Sequence, residues 1–531
     1  MTEKLTGGEA LVAALRAHGT DTVFGIPGTH NLPVYAALSR HGVRNVTPRH
    51  EQGAGYAADG WARASGRPGV CLTTTGPALL NAATAAAQAH SDSVPVLFLS
   101  PGLPLRHPGR GNGHLHEVKD QRAALDAVVA YSHRVTRVEE IPAAVACAFA
   151  AMATGRPRPV HLEIPLDLLD EQAPVTIAEP VPVPALAPAL PQVRAAVRVL
   201  ADAARPVVVA GGGASGAAGT LRTLAEHLGA PVVTTANGKG VLADDHPLAV
   251  GAGLHHRAVH DLVRDADAVL AVGTELAPSD LWSGPLDLPG TLIRVDADAA
   301  GVTANALPDI ALVADAALAL RALLEHMPAP GDAAPGARRA TRARAEHREQ
   351  ARAEGSAHLG LTRALAGALG RDGVLAGDST MACYYGALSN LPAYKPRSFL
   401  YPTGLGTLGY GLPAAIGAKL ARPEAPVVAL HGDGGLMFTV QELATAAQLR
   451  LPLPVVVVDN GGYGEIRDEM DARGEPVHAV DLPFVDFPLV ARAMGCHGLR
   501  ADDEPQLARA LQAALAADRP TLIHLPESAA G

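Results

Sequence analysis

The stretch that most constrains this chain is HGDGGLMFTVQELATAAQLRLPLPVVVVDNGGYGEI, from His431 to Ile466. An apolar run, 427–430, leads into it and reads as a buried strand. Gly432, Asp433, Gly434 and Gly435 follow as a tight turn, and 438–449 has helical spacing. A second apolar run, 453–458, ends in Asp459, Asn460, Gly461 and Gly462. This order predicts a β-α-β unit with polar residues at the carboxyl ends of both strands, the edge of an open parallel sheet where ligands gather. Asp433 offers a carboxylate and Asn460 a neutral oxygen, which the crossover can bring side by side. Hard oxygens of this kind suit Mg²⁺, which takes one or two protein ligands and completes its shell with phosphate oxygens and water. Glycines let backbone N–H groups approach a phosphate near a helix start. The residue types point to a metal-bridged diphosphate. An ordinary glycine-rich βα turn carries the same letters, so GDG alone does not separate the two readings.

The extended pattern, GDG followed at a distance by an Asn pair, resembles the signature of enzymes that use thiamine diphosphate; the first member of the pair is Asp459 here. The resemblance implies that Asp433, Asn460 and the backbone carbonyl of Gly462 hold Mg²⁺. It also implies that Gly432, Asp433, Gly434 and Gly435 line the diphosphate. Position 435 is Gly where many relatives carry Ser, so a side-chain contact to the diphosphate is expected to be missing while backbone contacts remain.

A chain of 531 residues, 48% hydrophobic, should divide into several domains. The net charge of −10 argues against a nucleic-acid partner. Cys71, Cys147, Cys383 and Cys496 are scattered, form no CxxC or metal-ligand spacing, and read as reduced core thiols. The first residues, MTEKLTGGEALVAALRAHG, read as an amphipathic helix without the apolar core of a signal peptide. No window approaches the ~18 apolar residues of a membrane span. The sequence stops soon after LIHLPES, so no C-terminal lid is expected. These features predict a cytoplasmic protein that binds no membrane.

Residues 1–172 read as one α/β domain in which short strands near 22–26, 69–74, 95–100 and 160–164 alternate with helices, a pattern that implies a parallel sheet. Glu51 stands between a strand and an Ala/Gly-rich helix. A glutamate there is ordinarily a dipole partner of the helix start. The surrounding text, FGIPGTHNLPVYAAL and RHEQGAGYAADGWARASGRPGVCLTTTGPALLNAATAAAQAHSDSVPVLFLS, resembles the pyrimidine-binding domain of acetolactate synthase and benzoylformate decarboxylase. The resemblance implies that Glu51 hydrogen-bonds the pyrimidine N1′ and promotes the imino tautomer that activates the cofactor. A carboxyl in an apolar slot is suited to share a proton with a ring nitrogen. Thr29, in the turn after the first strand, is a candidate substrate contact. Residues 106–121, RHPGRGNGHLHEVKDQ, read as a loop, with His114 and His116 as candidate substrate contacts and proton carriers. A solvated loop is the plain alternative for His114. His116 occupies the position of an active-site Gln in acetolactate synthases.

Residues 173–192 are Pro-rich and read as a stiff extended linker. A Rossmann-like central domain is expected over 193–327, with Asp296 at the end of a strand as a possible ribose ligand or a structural residue. In acetolactate synthases this domain holds FAD with a charged loop. The matching loop here, GTELAPSDLWSGP from Gly273, lacks that charge, so FAD is not expected. In the decarboxylases this loop leans over the substrate pocket, which makes Asp280 and Trp282 candidate substrate contacts. Residues 328–356 read as a connector with a solvated basic helix. The last domain is expected over 357–531. By resemblance, Thr380 and Met381 help hold the diphosphate, Gly406 binds the pyrimidine amine, and Leu408 wedges the cofactor into its bent form. Residues 482–500 and 521–526 are expected to complete its sheet. Glu465 and Ile466 occupy the positions that face the reacting carbon in the family. Glu465 either turns to solvent at a helix start, or enters the pocket as a proton donor or as the partner of a cationic tail.

The chain is thus identified as a member of the thiamine diphosphate decarboxylase/acetolactate synthase superfamily, an α/β protein of three doubly wound parallel-sheet domains. The resemblance implies thiamine diphosphate and Mg²⁺ as cofactors. It also implies a homodimer or homotetramer with active sites at the subunit interface. The expected reaction is decarboxylation of a small 2-oxo acid to an aldehyde through an enamine. The alternatives are carboligation of that enamine to a second carbonyl, as in acetolactate synthase, and a non-catalytic scaffold. HEVKDQ, GDST and NGGYGEI are most similar to decarboxylases of guanidino-substituted 2-oxo acids.

Overall fold

The computed structural model describes residues 2–180, 182–282 and 284–531; Met1, Val181 of the Pro-rich stretch and Ser283 of the 273–285 loop lie outside them. The chain forms two units. The first comprises Met1–Pro184, Gly404–Pro423 and Thr439–Leu449. It is built on a six-stranded sheet in the spatial order Arg44–Val46, Thr22–Gly25, Gly69–Leu72, Val96–Gly102, Val160–Pro165, Ser132–Arg134, with every neighbouring pair parallel. The central strands are buried along their length, as strands covered by helices on both faces must be, and Val160–Pro165 carries His161 and Glu163 inside the sheet. The strand order reverses between Thr22–Gly25 and Gly69–Leu72. The turns after these strands therefore flank a topological switch point.

One face of this sheet carries the helix Glu51–Ser65, which packs on the helix Gly411–Ala421. Small residues allow the approach. A Cβ on Gly60 would lie 2.2 Å from the Ala414 carbonyl oxygen, and one on Gly417 would lie 1.9 Å from that of Ala57. Asp59, Arg63, Asp92 and Tyr410 lock the seam. Arg63 pairs with Asp59 at 2.7 Å and with Asp92 at 2.8 Å, and the Tyr410 hydroxyl donates to Asp59 at 2.6 Å.

The second unit comprises Ala185–Thr403, Glu424–Phe438 and Arg450–Gly531. It contains two more six-stranded parallel sheets. The central one runs Ala249–Ala252, Val232–Thr234, Pro206–Ala210, Ala268–Val272, Thr291–Asp296, Ile310–Val313. The last runs Phe399–Leu400, Val374–Gly377, Val427–Gly432, Pro454–Asp459, Thr521–Pro526, His497–Arg500. The three doubly wound parallel sheets expected from the sequence are therefore present.

Local expectations need correction in five places. Cys147 is exposed, so only Cys71, Cys383 and Cys496 are core thiols. Residues Thr2–Thr6 are a strand, paired antiparallel with Gln172–Thr176, and the first helix starts only at Gly7. Thr6 and Glu9 form a capping box that stops the helix there, a T-x-x-E signal present in the sequence. The Pro-rich stretch 173–192 accordingly opens in that strand and closes in a helix starting at Leu190 with Pro at its first turn. The GDGG segment is not a bare turn: Asp433–Leu436 is a short helix, and the helical pattern of 438–449 is helix only over Glu442–Gln448. Within 482–500 only His497–Arg500 is a strand, because the Asp486 side chain caps the helix Phe487–Ala493 by accepting the Leu489 N–H.

Candidate active site

In the last sheet the strand order reverses between Val374–Gly377 and Val427–Gly432. Ligands of open α/β sheets bind at this point, beyond the carboxyl ends of the strands. Residues Asp378–Met381, Gly432–Gly435 and Asn460–Gly462 all follow strands of this sheet. Asp433 is 7% exposed. Burial raises its carboxyl above the ordinary value, and the nearby Asp459 charge adds to the effect. Asn460 places its Nδ2 3.8 Å from the Met381 sulfur, while its Oδ1 is buried with no hydrogen-bond partner. A buried amide oxygen without a donor is unfavourable unless an ion or water meets it. Gly462 has φ +143°, and a Cβ there would lie 2.0 Å from the Val480 carbonyl, so only glycine fits this turn. Thr380 leans over the same edge, 2.9 Å from where a Cβ on Gly432 would stand. The carboxylate, the orphaned amide oxygen and the glycine turns make a donor set that fits a hard divalent ion bridging a diphosphate.

Two pairs that the sequence reading missed, one fully and one partly buried, brace this edge. His431 Nδ1 lies 2.8 Å from Asp378 Oδ2. His524 Nε2 lies 2.8 Å from Asp459 Oδ2, while Asp459 Oδ1 accepts the Gly461 N–H. The aspartate standing in place of the first asparagine of the family pair therefore anchors the turn that carries Asn460.

Glu465 follows in the first turn of the helix Gly464–Ala472. It does not turn to solvent alone. The Tyr384 hydroxyl donates to its Oε2 at 3.0 Å and the Tyr385 hydroxyl to its Oε1 at 2.8 Å. Both tyrosines sit in one turn of π-helix, Ala382–Ala387, a distortion that often marks functional sites. Burial and the adjacent Glu465 charge push both phenols up, so they stay protonated donors. Ile466 is 45% exposed on the same helix. Trp282 makes ring contacts with Tyr384 and Tyr385 and stacks on His255. Asp280 accepts the Ala236 N–H at 3.1 Å and, with Trp282, lines a small cleft that also includes Thr235, His255, Tyr401 and Thr403. Asp296 takes the Asp298 N–H at 2.9 Å, which closes its own turn.

The first unit carries the other expected residues. Glu51 is the first residue of its helix and accepts the Asn81 amide at 3.0 Å. Gly406 has φ +65° and is exposed, and Leu408 is half-buried. Thr29 is exposed at the switch-point turn. His114 and His116 come together around His30, with ring centroids 6.1 and 5.1 Å from it, and His30 Nδ1 lies 2.7 Å from Thr75 Oγ1. Burial, with the charges of His116 and His114, holds His30 below its ordinary value. His116 has φ +62°, strained for a non-glycine residue, and its Nδ1 is buried without a partner. Sequence reading passed over His30 and Glu442. Glu442 is buried, and its carboxylate accepts the backbone N–H groups of Arg49 and His50 and the Thr445 hydroxyl. A glutamate inside the apolar pattern of QELATA was the available signal.

Three parallel sheets, with oxygen donors and glycine turns gathered at the switch point of the last, have the architecture of a cofactor-dependent α/β enzyme. Comparison with known proteins makes this specific. Residues 5–124 match the family description "Thiamine pyrophosphate enzyme, N-terminal TPP binding domain", 193–323 the central domain and 376–525 the C-terminal TPP binding domain. The chain is 44% identical to a probable 2-ketoarginine decarboxylase of Pseudomonas aeruginosa, over 99% of this chain and 95% of that protein. It is 34% identical to the acetolactate synthase isozyme 2 large subunit of Escherichia coli, over 98% and 95%. It is 33% identical to a probable acetolactate synthase large subunit of Methanocaldococcus jannaschii, over 98% and 92%. The chain belongs to the thiamine pyrophosphate enzyme family. No helix among the described residues is long and apolar enough to cross a membrane.

Proposed function

We propose that this protein decarboxylates a 2-oxo acid with a cationic, guanidino-type tail to the corresponding aldehyde, using thiamine diphosphate and Mg²⁺. The observation that carries the reading is Glu465, a carboxylate gripped by two tyrosine hydroxyls just beyond the Asn460–Gly462 turn. Two fixed donors hold both of its oxygens in place, which presents a planar acceptor to a guanidinium; bidentate pairing of that kind is strong and geometrically selective. The 2-ketoarginine decarboxylase among the relatives supports the same substrate class.

Bound thiamine diphosphate supplies the electron sink for loss of CO₂. Asp433, Asn460 and the Gly462 carbonyl would hold Mg²⁺ and through it the diphosphate, with Thr380, Met381 and the Gly432–Gly435 backbone beside it. Gly406 and Leu408 would hold the pyrimidine, and Glu51 would hold a proton against its N1′. We read His114 and His116 as proton carriers, and Thr29, Asp280, Trp282 and Ile466 as candidate substrate contacts. The working form is read as a homodimer or homotetramer with active sites at the subunit interface, as the family resemblance implies. The compartment is read as the cytoplasm, which four free thiols suit.

The test supplies purified protein, cofactor and Mg²⁺ with a panel of 2-oxo acids and measures CO₂ and aldehyde. Fastest turnover on the guanidino member, with stoichiometric aldehyde, is expected. Turnover of pyruvate to acetolactate, with the guanidino acid inert, replaces this reading with carboligation.

A further inference from the structure

Outside the cofactor edge, the second unit gathers an unusual set of imidazoles. His255 and His256 form the turn before the helix Arg257–Arg264, with His256 as its N-cap. Glu354 is the last residue of the long helix Ala334–Glu354, and His347 lies two turns earlier on the same helix. All three histidines are buried. His255 Nε2 and His256 Nε2 each stand 3.1 Å from the same oxygen, Glu354 Oε2. Among the described residues this is the one group of three whose ligand atoms all lie within 4.8 Å of one another.

We propose that His255, His256 and Glu354 bind a borderline divalent ion of the Zn²⁺ type, at the edge of the cleft that Asp280 and Trp282 line. Zn²⁺ bonds of about 2.0–2.2 Å give a tetrahedron whose edges are roughly 3.3–3.6 Å. The two 3.1 Å separations lie within the ordinary N–H···O range of about 2.7–3.2 Å, and a shift of a few tenths of an ångström opens the group to the ion. Two imidazoles and one carboxylate, with a fourth position for water, suit Zn²⁺ or Co²⁺ and disfavour Mg²⁺, which prefers oxygen.

The surroundings match those of a metal site. His256 Nδ1 lies 2.8 Å from His347 Nδ1, the outward hydrogen bond that fixes tautomer and ring orientation in metal-bound imidazoles. His255 is held by Trp282, stacked on it with ring centroids 3.8 Å apart and planes 20° from parallel. The ion would clip the end of the long helix to the 255–256 turn. Its binding energy would then add to the stability of the folded chain.

The test uses the full-length holoenzyme, stripped by chelator and returned to saturating thiamine diphosphate and Mg²⁺. Co²⁺ is then titrated and its visible absorption recorded. One equivalent per chain, giving the strong bands of a four-coordinate site and displaced by Zn²⁺, is expected. Glu354→Gln keeps a hydrogen-bond acceptor for both imidazoles and removes the charged ligand. Co²⁺ should bind that variant at least about tenfold more weakly, and Zn²⁺ should raise the melting temperature of the wild type but not of the variant. A wild type that shows only the weak bands of six-coordinate Co²⁺ overturns the site whatever the variant does, as does an unchanged affinity in folded Glu354→Gln.

Discussion

The carboxylate of Glu442 receives the backbone N–H of Arg49 at both oxygens, 3.0 and 3.1 Å away. The same carboxylate takes the His50 N–H at 3.0 Å, so the two residues that lead into Glu51 hang from one buried side chain.

Burial pushes the Glu442 carboxyl up from 4.5 to about 7, against the Thr445, Arg49 and His50 hydrogen bonds that lower it. The folded chain therefore holds this proton more tightly than the unfolded chain does. Its contribution to stability is complete below about pH 4.5 and is lost as pH rises through about 7. At about 1.4 kcal/mol per pH unit the full loss is of order 3 kcal/mol. Glu442→Gln lacks this titration. Its urea midpoint should gain on the wild type between pH 5 and 8, and parallel pH profiles for the two proteins would count against the effect.

Glu51→Gln should fold, bind cofactor with near wild-type affinity and lose roughly 100- to 10,000-fold in kcat, the range of general acid–base assistance. Calorimetric cofactor titration alongside steady-state CO₂ release measures both halves. Activity within a factor of two of the wild type removes Glu51 from the chemistry.

Asp433→Ala removes the one charged ligand of the proposed Mg²⁺ site. Cofactor affinity in Mg²⁺ should fall at least about tenfold, or about 1.4 kcal/mol. Asn460→Ala deletes the amide oxygen that has no donor in the protein and should weaken binding in the same direction. Unaltered affinity in both variants would relocate the ion.

Glu465→Gln should lower kcat/KM on a guanidino 2-oxo acid by roughly 10- to 100-fold, the worth of a hydrogen bond to a charged group. An uncharged 2-oxo acid of equal length should lose far less. Tyr385→Phe frees one carboxylate oxygen and should show a smaller loss of the same selectivity. Equal losses on charged and neutral substrates would make Glu465 a proton donor instead, and unchanged kinetics would refute both roles.

The parts of this molecule that follow from a short window were legible in the sequence. Val427–Leu430, fully buried, announced a central parallel strand, and GDGG with DN marked its carboxyl edge. What escaped depended on partners far along the chain. Thr2–Thr6 becomes a strand because Gln172–Thr176 is there to pair with it. Glu442 looked like one polar residue in an Ala-rich helix until the fold set it against Arg49 and His50. Tyr384 and Tyr385, adjacent residues that would diverge on a regular helix, reach one carboxylate from a turn of π-helix, which no periodicity reveals. The capping box at Thr6 and Glu9 is the opposite case: the signal was local and was overlooked.

The seam between Glu51–Ser65 and Gly411–Ala421 bears on how the chain must be made. Synthesis delivers the first helix hundreds of residues before its partner, and at about 5–20 residues per second that interval is tens of seconds. Throughout it, the flat Ala/Gly face around Ala57 and Gly60 emerges from the ribosome with nothing to cover it. The first unit cannot close as a finished body when its own sheet is complete. It waits, half-covered, for a segment encoded hundreds of residues downstream, and in that window it is exposed to chaperones, proteases and neighbouring nascent chains.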